Sequence, residues 1–269
     1  MEWKIVEGFD FEDILYEKKS FENGAASRIT INNPKKRNAL TQNAFLEMHE
    51  ALDNANFDSE IGVVILTGAG DKAFCSGADM AFESSEDYRR YFMSPNLTQY
   101  YLRQMQKPVI AAVKGYAIGY GNHLAYFCDF TIAAENAVFG QTGPLVASPA
   151  HGYVVSYLTR IVGAKKAREI WMLCRRYNAK EALDMGLVNC VVPLDKFDEE
   201  VDKWCQEVLE KSPTCISLLK ASFDSDIDYM RGDWSQMLTL AAPDHFDSEE
   251  VKEAHKAFFE KRKPVFKRS

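Results

Sequence analysis

Two short stretches of small residues, each placed after an apolar run, restrict the fold of this chain more than any other feature. Residues 74–79 read FCSGAD and residues 115–123 read GYAIGYGNH. Small residues let backbone N–H groups turn toward a ligand without obstruction by side chains. Two such N–H groups aimed at one point form an oxyanion hole, which stabilises the negative charge that develops on a carbonyl oxygen. The pair therefore predicts two loops whose backbone binds a polarised carbonyl group.

The surrounding pattern alternates between short apolar strands and amphipathic helices. Residues 12–32 alternate polar and apolar side chains around Asn23 and Gly24, which predicts two strands joined by a turn. Thr41 is the predicted N-cap of a helix whose apolar residues recur at helical spacing. Continuous apolar runs predict buried strands at residues 63–67, 108–113, 129–134 and from 137. Strands that alternate with helices in this way predict an α/β fold built from βαβ units.

Helical patterns dominate the rest of the chain. Residues 85–106 are expected to form a mobile loop followed by a helix, and another helix is expected to start near Gly121. After about residue 163 the pattern is mainly helical, with one late strand at residues 187–192. We therefore expect a core domain over residues 1–200 and a helical region over residues 201–269.

Composition narrows the possible functions. The 269 residues are 46% hydrophobic and 26% charged, which is typical of a globular protein with a sizeable core. The net charge of −7 argues against a broad nucleic-acid surface but allows a local basic pocket. No apolar run approaches the roughly 20 residues that span a bilayer, and the N-terminus opens no signal peptide. The six cysteines are scattered without a CxxC pair, so we expect a cytoplasmic protein without disulfide bonds or a metal site.

The two small-residue stretches resemble the signature segments of the crotonase (enoyl-CoA hydratase/isomerase) superfamily. Residues 33–40 (NPKKRNAL) resemble its first CoA-contact motif. Within the superfamily, the chain is most similar to 1,4-dihydroxy-2-naphthoyl-CoA synthase and 2-ketocyclohexanecarboxyl-CoA hydrolase. The segments that carry this similarity are residues 67–77, 139–144, 165–171, 182–189 and 261–264.

The resemblance implies a crotonase-like spiral of ββα units with a helical C-terminal region. It also implies a CoA thioester as substrate and no tightly bound cofactor. Crotonases of this kind form homotrimers or homohexamers in which the C-terminal helices cover a neighbour's site, so the same is expected here.

Ala78 and Tyr120 occupy the positions whose backbone N–H groups form the oxyanion hole in the superfamily. Tyr120 departs from the glycine that is usual there; its N–H survives the change, but its ring must be accommodated and is expected to reshape the acyl pocket. The alternative is that both segments are ordinary turns.

Water-adding crotonases use two glutamates, whose positions correspond to His123 and Gly143. Because neither carboxylate is present, two-glutamate hydratase chemistry is not expected. A histidine can act as base or acid near neutral pH, although His123 can equally be a packed helix residue with a hydrogen-bond partner.

Gln141, Thr142, Gly143 and Trp171 correspond to the residues that hold bicarbonate in one class of dihydroxynaphthoyl-CoA synthases. There the anion stands in for a missing carboxylate base. An amide, a hydroxyl, a backbone N–H and an indole N–H can all donate to one small anion, and Gly143 in place of an acid is expected to leave room for it. The alternative is a structural turn with Trp171 in the core.

Two positions depart from the synthases. Ser148 matches a serine that contacts the substrate carboxylate, but an aspartate two residues later is Ala150 here, followed by His151. A tyrosine that the neighbouring subunit supplies aligns with Phe246, next to His245. Either a histidine (His123, His151 or His245) substitutes for these groups, or the reaction differs.

Other site residues follow from the same resemblance. Tyr88 or Tyr91 could match a catalytic tyrosine of the synthases' mobile loop. Cationic side chains contact phosphates readily. The residues expected to contact CoA are Lys35, Arg37, Ala39, Ala73, Ser76, Asp79, Met80 and Lys261.

The predicted reaction is enolate formation on the CoA thioester of a cyclic or aromatic acid, followed by an intramolecular Claisen condensation. The enzymatic alternatives are hydrolytic C–C ring cleavage of a cyclic β-keto acyl-CoA and an atypical histidine-assisted enoyl-CoA hydration or isomerisation. The non-enzymatic alternative is a CoA-binding protein without turnover. One fold hosts many chemistries, so the site must decide between them.

Overall fold

The computed structural model describes residues 2–92, 97–150, 152–223, 225–226 and 242–266. Eleven strands are present in these ranges. In chain order they are β1 (Lys4–Ile5), β2 (Ile14–Phe21), β3 (Gly24–Ile31), β4 (Ile61–Gly68), β5 (Ala73–Cys75), β6 (Val109–Val113), β7 (Tyr116–Ile118), β8 (Phe130–Ala134), β9 (Val138–Gly140), β10 (Arg176–Asn178) and β11 (Cys190–Val192).

Twelve α-helices lie in the same described ranges. They are α1 (Gln42–Phe57), α2 (Met80–Glu83), α3 (Glu86–Phe92), α4 (Thr98–Gln104), α5 (Tyr120–Phe127), α6 (Gly143–Val146), α7 (Gly152–Val162), α8 (Ala164–Leu173), α9 (Ala179–Asp184), α10 (Phe197–Leu209), α11 (Pro213–Phe223) and α12 (Glu249–Phe259). Short 3₁₀ turns occupy Pro34–Lys36, Leu194–Lys196 and His245–Asp247.

The strands form two sheets. The larger has the order β1-β2-β3-β4-β6-β8-β11 and the smaller the order β10-β9-β7-β5. From β3 onward the neighbours in the larger sheet are parallel, while β1, β2 and β3 pair antiparallel. The chain visits one sheet and then the other before it enters a helix, as in β4-β5-α2 and β6-β7-α5. This repeated ββα path confirms the predicted crotonase-like α/β spiral.

Local signals near the N-terminus are confirmed. The antiparallel pairing of β2 with β3 runs from Ile14 opposite Ile31 to Phe21 opposite Gly24, so the hairpin turns at the predicted place. The Thr41 hydroxyl accepts a hydrogen bond of 3.0 Å from the Ala44 N–H and caps α1. The cap fixes the start of the helix whose apolar face covers the sheet.

The expected boundary between residues 200 and 201 falls inside α10. Phe197, Val201 and Cys205 of this helix are buried against the larger sheet, where Val63 and Ile65 of β4 belong to the same cluster. Because these side chains lose their apolar surface only when the helix lies on the strands, α10 is part of the core.

Three other expectations change in detail. Residues 85–106 contain two helices, α3 and α4, and the late strand is limited to Cys190–Val192. The strands β5, β7 and β10 have three residues each and were not predicted.

Within the part of the chain that the structure describes, no helix is long and apolar enough to span a bilayer. No group of three or more potential metal ligands occurs there either.

Candidate active site

Three neighbouring strands of the smaller sheet bring the site together. β5, β7 and β9 are parallel to one another, so their carboxyl ends lie at the same edge. The chain leaves β5 toward Ala78, leaves β7 toward Tyr120 and leaves β9 toward Gln141. Residues that are far apart in the sequence therefore meet around one cavity of about 670 Å³.

Glycines allow the close approach of α5 to β5. A Cβ atom at Gly121 would lie 2.1 Å from the carbonyl oxygen of Cys75, a backbone atom that cannot rotate away. Gly119 has φ +58°, and a Cβ there would lie 3.2 Å from the Thr142 hydroxyl. The Gly119 N–H donates to the Gly140 carbonyl at 3.0 Å, which ties the end of β7 to the end of β9. The start of α5 is therefore held against the loop after β5.

The backbone N–H groups of Ala78 and Tyr120 are available for a ligand. Leu40 donates to the Gly77 carbonyl at 2.9 Å and accepts from the Asp79 N–H at 2.8 Å, which leaves Ala78 between them. Tyr120 is the first residue of α5, so its N–H has no partner within the helix. A Cβ at Gly77 would lie only 3.8 Å from the Tyr120 nitrogen, which shows how close the two segments are. Among the described residues no hydrogen bond occupies either N–H, and both residues line the cavity.

The Tyr120 ring has a defined place. It is buried and packs edge-on against Phe45, with 4.9 Å between ring centroids. Its hydroxyl lies 3.1 Å from the Tyr91 hydroxyl and donates to the Gln99 side-chain oxygen. Burial raises the pKa of this phenol well above its ordinary value. Tyr120 therefore forms part of the cavity wall as a neutral hydroxyl in a fixed network.

His123 faces the same cavity one turn into α5. Burial lowers the pKa of its imidazole to about 3, while a hydrogen bond with the Gln141 side chain opposes part of this effect. The ring lies 5.4 Å from the Trp171 ring and 5.5 Å from the Tyr120 ring, measured between centroids. The imidazole is therefore neutral at physiological pH, so one ring nitrogen can donate a hydrogen bond and the other can accept one, but the ring adds no charge.

Three residues that line this cavity have a buried side-chain nitrogen without a partner of its own. These nitrogens are His123 Nε2, Gln141 Nε2 and Trp171 Nε1, for which the described residues provide no hydrogen-bond acceptor. Buried donors are nearly always satisfied, and exceptions point to a functional role or to a bound water or ion. Gln141 Nε2 and Trp171 Nε1 are N–H donors, and His123 Nε2 is a third in the tautomer that carries its proton there; neutral donors without an acceptor suit a small anion.

The space expected beside Gly143 is already filled. A Cβ at Gly143 would lie 2.6 Å from the Ser148 carbonyl oxygen, and the Ser148 N–H donates to the Gly143 carbonyl at 3.0 Å. The space that a side chain at position 143 would occupy therefore holds the Ser148 carbonyl group, and the expectation that it is free for an anion is wrong. The available donors are instead the nitrogens of His123, Gln141 and Trp171.

A carboxyl group that the sequence analysis missed lies in the cavity wall. Glu83, the last residue of α2, shares a hydrogen bond with the Ser148 side chain, and the Tyr88 hydroxyl bonds to the same serine. Burial raises the pKa of Glu83 above its ordinary value. The spacing of Glu83 from Asp79 is the sequence feature that could have revealed it. Asp79 caps α2 and lines the cavity, and Glu83 follows one turn later on the same side of the helix.

The mouth of the cavity is basic. Lys35, Lys36, Arg37 and Arg176 line it. The Arg37 and Arg176 guanidinium carbons lie 5.5 and 5.9 Å from the centroid of the Tyr116 ring, within reach of a cation–π contact. Of the other residues expected to contact CoA, four line the same cavity: Ala39, Ser76, Asp79 and Met80.

Two residues expected to contact CoA lie elsewhere. Ala73 is buried in β5, where its carbonyl accepts a 2.7 Å hydrogen bond from Asn38, and it does not line the cavity. Lys261 follows α12 at the surface; Phe258 and Phe259 of that helix, rather than the lysine, line the cavity of their own chain.

The three candidate histidines differ in position. Of the three, His123 lines the cavity and His245 does not. His151 lies outside the described residues. His245 Nε2 lies 2.9 Å from the Ala147 carbonyl and so ties the segment before α12 to the loop that carries Ser148. The remaining predicted residues, Thr142, Gly143, Ser148 and Trp171, line the cavity together with Ala78 and Tyr120.

The family model described as enoyl-CoA hydratase/isomerase matches residues 21–269. The chain therefore belongs to this family, whose members generally act on CoA thioesters without a tightly bound cofactor and are typically oligomeric. The oxyanion-hole geometry and basic cavity mouth described above are in keeping with that membership.

Solved structures agree with the family assignment. An enoyl-CoA hydratase from Mycobacterium avium subsp. paratuberculosis K-10 matches with 26% identity and a TM-score of 0.80, over 96% of this chain and 100% of that one. An enoyl-CoA hydratase from Bacillus anthracis matches with 31% identity and a TM-score of 0.73, over 95% and 99%. A methylmalonyl-CoA decarboxylase in complex with 2-nitronate-propionyl-CoA matches with 25% identity and a TM-score of 0.84, over 96% and 99%.

Proposed function

We propose that this protein forms an enolate on the CoA thioester of a cyclic or aromatic acid and uses it in an intramolecular Claisen condensation. The observation that carries the proposal is the set of unpartnered N–H donors at His123, Gln141 and Trp171 beside the oxyanion hole. Two-glutamate hydration has no basis here, because His123 and Gly143 replace the two acids.

The backbone of this chain stabilises the enolate. The thioester oxygen accepts hydrogen bonds from the N–H groups of Ala78 and Tyr120, and the N-terminal end of α5 adds a favourable potential. Because both donors are fixed by the strands that precede them, they need no reorganisation when charge develops. The solved complex of the methylmalonyl-CoA decarboxylase supports this comparison, since a nitronate is an anionic group beside a CoA thioester.

The donors at His123, Gln141 and Trp171 fit a bicarbonate ion. They are neutral and buried, so they can replace part of the hydration of one small anion. Bicarbonate bound there supplies a base for the hydrogen on the carbon next to the thioester. The chain's own residues hold the acyl group against that base and exclude water, through the buried rings of Tyr100, Tyr120 and Trp171.

The second candidate is hydrolytic ring cleavage of a cyclic β-keto acyl-CoA. It is favoured by one observation: the neutral His123 imidazole lines the cavity, where a ring nitrogen without N–H can accept a hydrogen bond from a bound water. In this reaction a water molecule occupies the place that bicarbonate takes in the first.

Mass spectrometry of two CoA thioesters, with and without bicarbonate, tests the proposal. The condensation predicts loss of one water from o-succinylbenzoyl-CoA, with a rate that rises with bicarbonate. The hydrolysis predicts gain of one water by 2-ketocyclohexanecarboxyl-CoA without an effect of bicarbonate. If neither ester reacts, the assignment to cyclic or aromatic thioesters is wrong.

A tryptophan pair provides the matched control. Trp171→Phe removes one donor to a charged ligand, worth about 1.5–3 kcal/mol, so the bicarbonate concentration for half-maximal rate is expected to rise roughly 10- to 100-fold. Trp204→Phe removes an indole that donates to Glu200 on α10, and this residue does not line the cavity. An equal response of both variants to bicarbonate would contradict the anion site.

A further inference from the structure

The residues that line the cavity offer two chemically different sets of groups. One set is N–H donors, from the backbone of Ala78 and Tyr120 and from the side chains described above. The other set is a carboxyl group, Glu83, beside the hydroxyls of Ser148 and Tyr88. The proposed function uses only the first set.

Glu83 reaches the part of the cavity from which the usual acid is missing. Its hydrogen-bond partner Ser148 belongs to the loop that folds back on Gly143, where the Ser148 carbonyl fills the Cβ position. Through Ser148, the Glu83 carboxyl group of α2 therefore lies against the loop that packs on Gly143 of α6.

The surroundings of Glu83 favour the protonated acid. Among the described residues no cation pairs with it. The groups that face it are the Tyr88 hydroxyl from α3 and the Ser148 hydroxyl from the loop after α6. On its own helix, Asp79 is engaged by Lys36 at 2.8 Å. Burial without a cation favours the neutral carboxyl group.

We propose that Glu83 is a catalytic acid that donates a proton to the substrate's acceptor carboxyl group, the one that the enolate attacks. This inference rests on the proposed condensation and assigns its second proton transfer. Such a reaction needs both an acid and a base. Glu83 is the acid, an anion held by the N–H donors is the base, and their different environments keep their pKa values apart.

The enolate carbon forms a bond to the carbon of the substrate's carboxylate, and the C=O π electrons move to oxygen. One of the two carboxylate oxygens takes the proton of Glu83 and becomes a hydroxyl. The C=O bond re-forms from the other oxygen, and the hydroxyl leaves as hydroxide. Hydroxide combines with the proton taken earlier from the substrate carbon, so one water is lost. Glu83 regains its proton from solvent, which supplies the one proton that conversion of a carboxylate to a ketone consumes.

Two probes separate this step from enolate formation. o-Succinylbenzoyl-CoA can both exchange its C2 hydrogens in D₂O and condense. 4-Oxo-4-phenylbutyryl-CoA lacks the acceptor carboxyl group, so it can only exchange. Glu83→Gln preserves the shape of the side chain and its hydrogen bonding to Ser148 but has no proton to transfer.

We expect Glu83→Gln to reduce the condensation at least about 100-fold, a typical contribution of general acid catalysis. Deuterium exchange into 4-oxo-4-phenylbutyryl-CoA is expected to stay within about threefold of wild type. Glu86→Gln, at an exposed position on α3, is expected to change neither rate. Circular dichroism checks that each variant is folded.

Other outcomes overturn the inference in distinguishable ways. Unchanged condensation in Glu83→Gln shows that no proton comes from this residue. Equal loss of condensation and exchange in the folded variant shows that Glu83 acts on the enolate step or on the shape of the cavity. A wild-type protein that neither exchanges nor converts the probes overturns the proposed function, and this assignment with it.

Discussion

Replacement of Gly121 by alanine tests how the oxyanion hole is built. The new Cβ would lie 2.1 Å from the Cys75 carbonyl oxygen, whereas real Cβ contacts are essentially never shorter than 3.0 Å. The helix must therefore move by about 0.9 Å, which is 3.0 minus 2.1, relative to β5. Tyr120 precedes this position and Ala78 follows β5, so the same movement separates the two N–H donors.

The expected magnitude combines two opposing effects. Overpacking against a fixed backbone atom costs about 2–3 kcal/mol. The higher helix propensity of alanine offsets about 1 kcal/mol. The net loss of about 1–2 kcal/mol corresponds to a fall in Tm of about 2–8 °C for a chain of this size. Displacement of a catalytic donor by about 1 Å costs about 100-fold in rate.

The assay is deuterium exchange into 4-oxo-4-phenylbutyryl-CoA, combined with calorimetric binding of CoA and a thermal melt. CoA affinity should change less than about threefold, because the basic mouth of the cavity lies elsewhere. Gly62→Ala is the control: its Cβ would meet only a flexible Leu209 methyl group, away from the site. A Gly121→Ala protein with wild-type Tm and an exchange rate within threefold would refute the reasoning.

Two further predictions concern charge in the interior. Because burial lowers the pKa of His123 to about 3, the unfolded chain binds a proton near pH 6.5 that the folded chain does not. This histidine therefore costs no stability above that pH, and the free energy of unfolding falls as the pH decreases. Tm should fall less between pH 7 and pH 5 in His123→Gln than in wild type. Parallel plots of Tm against pH for the two proteins would contradict this. Lys220 on α11 contacts Asp129 at 2.6 Å in the interior, so Lys220→Met should lower the free energy of unfolding by about 3 kcal/mol in urea titration. Lys211→Met, at an exposed ion pair, should change it by less than about 1 kcal/mol, and equal losses would contradict the role of burial.

The elements that the sequence predicts well are those with a local cause. The hairpin of β2 and β3 follows from alternation and a turn, and α1 follows from its Thr41 cap. The two small-residue stretches are also found in contact, because the close approach at Gly121 leaves no space for a side chain. Each of these signals lies within a few residues of the feature that it predicts.

The elements that were missed depend on distant partners. β5 and β7 have three residues each, too few to show a period, and exist because they pair with each other. The direction of the Tyr120 ring depends on Phe45 from α1 and Gln99 from α4. Glu83 acquires a role only through Ser148, which reaches it from the loop after α6. None of these contacts leaves a pattern in the nearby sequence.

The same contrast explains why the class of enzyme is easier to infer than its reaction. The proposed oxyanion hole is made of backbone N–H groups, so it tolerates a change as large as tyrosine at position 120 provided that the glycines around it remain. Proton transfer depends on side chains, and here His123 and Gly143 stand where water-adding crotonases have glutamates, while the proposed acid Glu83 comes from another helix. A site that keeps its charge-stabilising group in the backbone can change its acids and bases without losing that group. We therefore expect the choice between condensation and hydrolysis to follow from Glu83, His123 and the N–H donors, and not from Ala78 and Tyr120, which serve both.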